Sequence, residues 1–519
     1  MFPTSYRNER HQLRVLLRDM VLLLTFAFCA RVWLFSGIGL GDDMTYAHVV
    51  HQIITTGYPE PADPIVFLLR PAFLYPVATS VRWFGWTDFG FVLPVLAASL
   101  IGIASTYLLG AALSGRTAAI LSALTLSLAP LDLVNSTTLT NDICGSAYLG
   151  VGAVFGIAAF RKRSHRQLLF AVLGGFIFGL STLVKISFVV AVAPLAICVT
   201  HEIWRKRHTW KIGAAMLAGY ASALFLLALF CLLKFGDGLA PLSELEFNYG
   251  AMEREYSPDQ LTATLLYYPR MIAGLRPAGP YGHEIFPFGW FFLLAIMSTC
   301  AVPFLNIRSA WRPGVFFLFL LLVMEFWPLE LQPYYAPIHR LPRFLHIAAI
   351  PGALMIGICL SEMLKRKFEW KVVAVATLAI YAVTSLRVSS AASDHHNDCM
   401  RDVRLVAEHL RWSEGLIVSD TEMRSYLVFA DEFRAPNRFL MNPATAVPSG
   451  SLVVVGGSRR PEVGPGLPWP SELIPASWTE VANFQGNETP WRLTPARIYV
   501  VVESAGDLRP TSPPPVSPE

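Results

Sequence analysis

The chain is 519 residues long, 54% hydrophobic and 15% charged, with a mean hydropathy of +0.47. Globular chains carry closer to a quarter charged residues, so this composition excludes an ordinary soluble enzyme and points to a polytopic membrane protein. The net charge of +4 is too small to mark a nucleic-acid binder, and no nucleic-acid partner is expected.

Apolar runs of roughly 18 to 22 residues can cross about 30 Å of hydrocarbon as helix. They predict about eleven spans: 19–37, 90–113, 116–135, 142–160, 167–184, 187–204, 212–234, 285–304, 314–329, 344–364 and 371–388. Basic clusters fall at alternate gaps: Arg7/Arg10/Arg14/Arg18, Arg161-Lys162-Arg163, Arg205-Lys206-Arg207, Arg308/Arg312 and Lys365-Arg366-Lys367. Set in the cytoplasm, they turn loops 38–89, 135–142, 235–284 and 330–343, and everything after 389, to the outer face. The first span is too long for a signal peptide's apolar core and lacks a small-residue cleavage site, so it reads as an uncleaved helix.

The fold class expected is an α-helical polytopic membrane protein with a small C-terminal extracytoplasmic α/β domain. Residues 1–393 form the transmembrane domain, with the first outer loop at 38–89. That loop holds an amphipathic stretch at 46–54 and an aromatic one from Pro71 to Gly85, which suit the membrane interface. His48 and His51 read as face residues of the first. After 394 the apolar runs shorten to strand length, at 415–419, 451–455 and 497–502, with helical stretches near 401–412 and 421–430. This α/β domain would end near 508, and the Pro-rich tail 509–519 is expected to be disordered. The seven cysteines contain no CxxC pair, so neither a disulfide framework nor zinc-type spacing is expected.

Charges kept at the edge of a bilayer core are costly unless used. The outward ionisable groups are Asp42 and Asp43 at the start of the first outer loop, Arg70 before Pro71, Asp142 at the turn between spans three and four, and Lys185 at the end of span five. His283, Glu284, Arg340 and Arg343 complete the set. The topology places them all on one side at one depth. The bland readings are a solvated cap for the Asp pair, an interfacial anchor for Arg70 and a snorkelling Lys185. Their joint occurrence with Tyr46 favours chemistry.

The order Asp-acid-x-x-Tyr-Ala (Asp42, Asp43, Tyr46, Ala47), a basic residue before Pro (Arg70), an Asp at the next outer turn (Asp142) and a Lys closing a later helix (Lys185, then Pro194) carries a resemblance. The pattern resembles the GT-C glycosyltransferases, in particular the branch of protein O-mannosyltransferases and lipid A aminoarabinose transferases. It is best over roughly 38–200 and weaker at Pro342-Arg343-Phe344-Leu345. The resemblance implies transfer of a sugar from a polyprenyl phosphate to an acceptor hydroxyl with inversion, on the outer face of the membrane, and the compact C-terminal domain and unadorned loops suggest a bacterial inner membrane. It implies catalytic roles for Asp42, Asp43 and Asp142, with Asp42 as general base or acceptor-orienting carboxylate, and contact with the donor phosphate for Arg70, Lys185 and Arg343. Tyr46, His283 and Glu284 fall where donor or acceptor would be touched. The acceptor it implies is a glycan, a lipid or a protein.

The chain departs from that pattern in two places. Asp43 stands where Glu is usual, and Leu69 where an acid often precedes the basic-Pro pair. A divalent metal would have to rest on Asp42, Asp142 and His283 without that acid. The tryptophan-rich signature of oligosaccharyltransferases is missing. No strand-GxGxxG-helix unit or Walker A motif occurs, consistent with a donor that brings its own phosphate and lipid. The competing class is a transporter or flippase of lipid-linked sugars. It would place polar groups and broken helices at mid-membrane, whereas these charges gather at the outer rim.

Overall fold

The computed structural model describes residues 6–58, 69–161, 166–205, 209–240, 267–273, 288–326, 328–330, 336–337, 342–411, 413, 415–419, 421–441, 449–455, 478–484 and 496–501. The chain divides into two compact units. The first comprises Met1–Gly37 and Gln52–Ser393, the second Ile38–His51 and Asp394–Glu519.

The first unit is helical. Its elements are α1 (Tyr6–Trp33), the end of α2 (Asp42–Thr56), α3 (Pro71–Phe84), α4 (Asp88–Ser114), α5 (Arg116–Ser127), α6 (Pro130–Asn135), α7 (Asp142–Arg161), α8 (Gln167–Val184), α9 (Val192–Arg205), α10 (Trp210–Phe235), α11 (Tyr267–Ile272), α12 (Gly289–Leu305), α13 (Trp311–Phe326), α14 (Ala349–Met363) and the first part of α15 (Phe368–Leu410). Short 3-10 turns cover Ile186–Ala191 and Pro342–Ala348. Among the described residues, eight segments are long and apolar enough to span a membrane. They account for eight of the eleven predicted spans. The other three are α1, which carries Arg18, Asp19 and Arg31 along its apolar run, the 17-residue α12, and the broken pair α5–α6.

That break is a difference from the sequence reading, which ran one span over 116–135. Ala129 precedes Pro130 and is extended at ψ 119°, as the proline ring demands of its predecessor, and α6 starts afresh at the proline. Elsewhere the local signals are simple. Thr87 caps α4 by accepting the Gly90 N–H at 3.0 Å.

α14 lies at the centre, and the span that contains it, Arg343–Met363, has 89% of its apolar stretch buried. A Cβ at its Gly357 would fall 2.1 to 2.6 Å from Ser122 of α5, so only glycine allows this approach. Gly152 of α7 likewise meets the Gly174 carbonyl of α8. Such small-residue contacts are how helices associate where lipid offers no hydrophobic drive. The interfacial reading of α3 fits its exposed Trp83 and Phe84.

Among the described residues of the second unit, five strands form one sheet in the order β4-β3-β5-β7-β6, with β3 Ile417–Ser419, β4 Phe439–Met441, β5 Leu452–Val455, β6 Trp478–Phe484 and β7 Ala496–Val501. Pro328–Glu330 and Ala336–Pro337, β1 and β2, pair separately in the first unit. β3 runs parallel to β4 and β5, and β7 antiparallel to β5 and β6. Val418, Val453, Trp478, Tyr499 and Val501 form the core. The three predicted strands are present, as is the helix α16 (Thr421–Ala430). β4 and β6 were not anticipated.

Candidate active site

In the first unit, α7 and α8 form an antiparallel hairpin. The start of α7 and the end of α8 therefore share one end of the bundle. Asp142 is the first residue of α7, and Lys185 follows the last residue of α8. Lys185 Nζ donates to Asp142 Oδ1 at 2.8 Å, and both residues are buried. Gly145 makes this possible. A Cβ there would lie 2.5 Å from the Phe188 ring, so the bare glycine lets the 3-10 turn after Lys185 press against α7.

Arg343, at the start of the turn leading into α14, places its Nε 3.8 Å from Asp142 Oδ2. Its neighbour Phe344 lies under the Lys185 ammonium, 3.5 Å from nitrogen to ring centre, a cation–π arrangement. Lys185 sits in the turn between two spans. Burial lowers its pKa to about 8, opposed by Asp142 and reinforced by the charges of Arg343 and Arg70. Arg70 is half-buried at the head of α3, its carbonyl accepting the Phe73 and Leu74 N–H groups at 2.9 Å. Leu69, next to Arg70, and Leu183, two residues before Lys185, share one apolar cluster. Arg70, Lys185, Arg343 and Asp142 are thus brought together, three cations to one carboxylate.

Sequence reading missed a second buried group. Arg31 of α1 donates through Nη2 to Asp132 Oδ1, through Nε to Ser99 Oγ at 2.8 Å, and to the Ala27 and Ser127 carbonyls. Ser99 Oγ donates to the same Asp132 oxygen at 2.5 Å. His346, three residues after Arg343, donates from Nε2 to the Leu131 carbonyl at 3.1 Å and holds Nδ1 4.0 Å from Asp132 Oδ2. Its own carbonyl accepts from Ser146 Oγ at 2.7 Å, one turn along α7 from Asp142. The turn carrying Arg343 is therefore fixed on both sides.

Asp42, Asp43 and Tyr46 belong to the second unit. Gly41 has φ +79°, a left-handed turn suited to glycine, and its carbonyl accepts the Met44 N–H at 3.0 Å. Asp42 and Asp43 then open α2, where carboxylates suit the positive helix end. Asp43 Oδ2 accepts the Gly39 N–H at 2.9 Å, and Tyr46 is buried. His48 and His51, expected on an interfacial face, instead pack against Phe433, with His51 stacked at 4.4 Å. His283, Glu284 and Arg340 lie outside the described residues.

A divalent metal does not fit at Asp142. Its two oxygens already face an ammonium and a guanidinium, and a third cation there would be repelled. Among the described residues no group of three His, Cys, Asp or Glu side chains could hold a metal ion.

A helical unit with cations gathered around a buried carboxylate at one end is joined in the same chain to a small α/β unit, an architecture of the GT-C fold. Residues 69–232 match the family model of dolichyl-phosphate-mannose-protein mannosyltransferases. The fold is similar to ArnT from Cupriavidus metallidurans, at 14% identity and TM-score 0.57 for the apo structure, covering 95% of this chain and 98% of that one. For the same protein bound to undecaprenyl phosphate the values are 13% and 0.58, over the same shares. The oligosaccharyltransferase of Archaeoglobus fulgidus in complex with Zn and sulfate is similar at 14% identity and TM-score 0.51, covering 79% of this chain and 61% of that one. No curated protein is a sequence match. The expected GT-C resemblance is borne out at the level of the fold.

Proposed function

We propose that this protein transfers a sugar, a hexose or a pentose, from a polyprenyl phosphate to an acceptor hydroxyl at the outer face of a bacterial inner membrane. The observation that carries this reading is the buried Asp142–Lys185 pair with Arg343 and Arg70 about it. Three cations against one carboxylate leave positive charge for a phosphate. Supporting it, the ArnT structure of the same fold was solved with undecaprenyl phosphate.

The acceptor oxygen attacks the anomeric carbon from the face opposite the phosphate, which inverts that centre. The bond between that carbon and the phosphate oxygen breaks. The proton goes to a carboxylate, a role we assign to Asp42 from its place in the resemblance, with Asp43 as companion. The departing polyprenyl phosphate keeps the bond's electron pair and gains one negative charge. Lys185, Arg70 and Arg343 stabilise that charge, and the Arg343 fork suits phosphate oxygens. Asp142 acts through Lys185 by holding its ammonium in place. Tyr46, His283 and Glu284 are assigned to substrate contact. The N-terminus faces the cytoplasm and residues 394–508 face outward on the distribution of basic residues.

The test uses purified full-length protein in vesicles with labelled polyprenyl-phosphate sugars and a membrane extract as acceptor source. The expected result is label in the acceptor with equimolar polyprenyl phosphate released. Label that crosses the bilayer still attached to its lipid would replace this reading with transport.

A further inference from the structure

The first unit holds an apolar cavity of about 280 Å³ that plays no part in the chemistry proposed above. Its walls come from α4, α7, α8, α9, α10, α13 and α14, with Leu149, Ala153, Phe178, Leu195, Phe316 and Leu354 among the lining. Along α7 it runs from Ser146 to Arg161, about 22 Å at 1.5 Å per residue. That is most of a bilayer's hydrocarbon thickness of about 30 Å.

The two ends differ. Near Ser146 the cavity stops one turn short of Asp142. At the far end its rim carries Arg161, Arg205 and Arg312 with one carboxylate, Glu202. Arg312 donates through Nη2 to Glu202 Oε1, which neutralises one arginine and leaves two. Arg161 and Arg205 are exposed and Arg312 half-buried, so the cavity opens at its charged end. Trp204, 80% exposed, and Trp210, 55% exposed, stand at this same end, as tryptophans do at headgroup depth. Positive charge here also suits the cytoplasmic side.

We propose that this cavity is a binding site for an anionic phospholipid of the leaflet opposite the catalytic end. One acyl chain lies in the apolar channel, and the phosphate is held by Arg161 and Arg205 beside the Arg312–Glu202 pair. The chemistry selects the ligand from both sides. A channel of this length without a polar group in its middle takes hydrocarbon, and an excess of guanidinium at its mouth takes phosphate. Basic pockets between helices at a cytoplasmic surface hold anionic headgroups for the same reason. Polarity separates this site from the donor site, because its phosphate-binding end lies at the opposite ends of α7 and α9 from Lys185. Bound lipid fills the seam between α7, α9 and α13, and so stabilises the fold.

The test compares the purified full-length protein with Arg161→Gln/Arg205→Gln and with Ala153→Phe. The double variant leaves the Arg312–Glu202 pair intact, and the single one fills the channel. Thermal midpoints are read with dioleoyl-phosphatidylglycerol, dioleoyl-phosphatidylcholine or sn-glycerol 3-phosphate at equal concentration, and copurifying lipid is identified by mass spectrometry. The wild type should rise with phosphatidylglycerol and carry anionic lipid, and both variants should lose the rise and the lipid. Each variant's own midpoint without lipid shows whether it is folded. Equal rises with phosphatidylcholine, a rise with the soluble phosphate alone, or a rise kept in both folded variants would overturn the proposal. Displacement of the bound lipid by one equivalent of polyprenyl phosphate would overturn it as well, by giving the channel to the donor's tail.

Discussion

Lys185 Nζ lies 2.8 Å from Asp142 Oδ1, with the lysine 9% and the aspartate 2% exposed, and the Phe344 ring centre is 3.5 Å from the ammonium. Breaking a buried pair from either side leaves a charge stranded, at a cost of about 3–5 kcal/mol. Asp142→Ala should therefore lower the unfolding midpoint and raise the donor KM together. Asp142→Ala/Lys185→Met should recover much of the midpoint and none of the transfer. Full loss of midpoint in the double variant would refute the pairing.

Lys185 also predicts a pH dependence. Burial sets its pKa near 8, below the usual lysine value. Without donor it is charged below that pH and neutral above it, so affinity for a phosphate should fall as pH rises from 7 to 9. Lys185→Arg stays charged throughout, and its donor KM should be flat over the same interval. Parallel profiles in the two proteins would exclude Lys185 from phosphate binding.

Gly145 sets how closely the Lys185 turn approaches α7. Because a Cβ there would sit 2.5 Å from Phe188, Gly145→Val must displace the ring and with it Lys185. Transfer should fall about 10²-fold, the scale of a 1 Å misplacement at a reacting centre. Gly145→Val/Phe188→Ala should restore part of it. No rescue by the second substitution would place the defect elsewhere.

The Arg31–Asp132 pair, remote from the outer charges in sequence, anchors the turn that carries Arg343 through His346. Asp132→Ala should destabilise by about 3–5 kcal/mol, measurable as a shifted urea or thermal midpoint in detergent. A midpoint within one degree of wild type would show that Arg31 is satisfied without it.

How far the sequence foretold this structure depended on the kind of signal. All eleven predicted apolar runs have helical counterparts, because span length and hydropathy follow directly from the bilayer. Asp142, Lys185 and Arg343 were legible as charges at the ends of apolar runs. Their pairing was not, since it rests on Gly145 admitting Phe188. Arg31 and Asp132 lay inside runs read as spans. A charged residue within a span requires a partner, and the Ala129-Pro130 break beside Asp132 was the signal that could have found this pair. β6 stayed hidden because Thr479, Glu480 and Asn483 face outward on an edge strand, where apolar alternation is weak.

The most direct test of the account is single-turnover transfer from purified polyprenyl-phosphate sugars, with wild type and Asp42→Asn side by side. The substitution keeps the size and removes the base. The wild type should transfer sugar and release polyprenyl phosphate, and the variant should do so at a rate lower by about 10²-fold or more. A folded wild type that releases no polyprenyl phosphate from any such donor would contradict it.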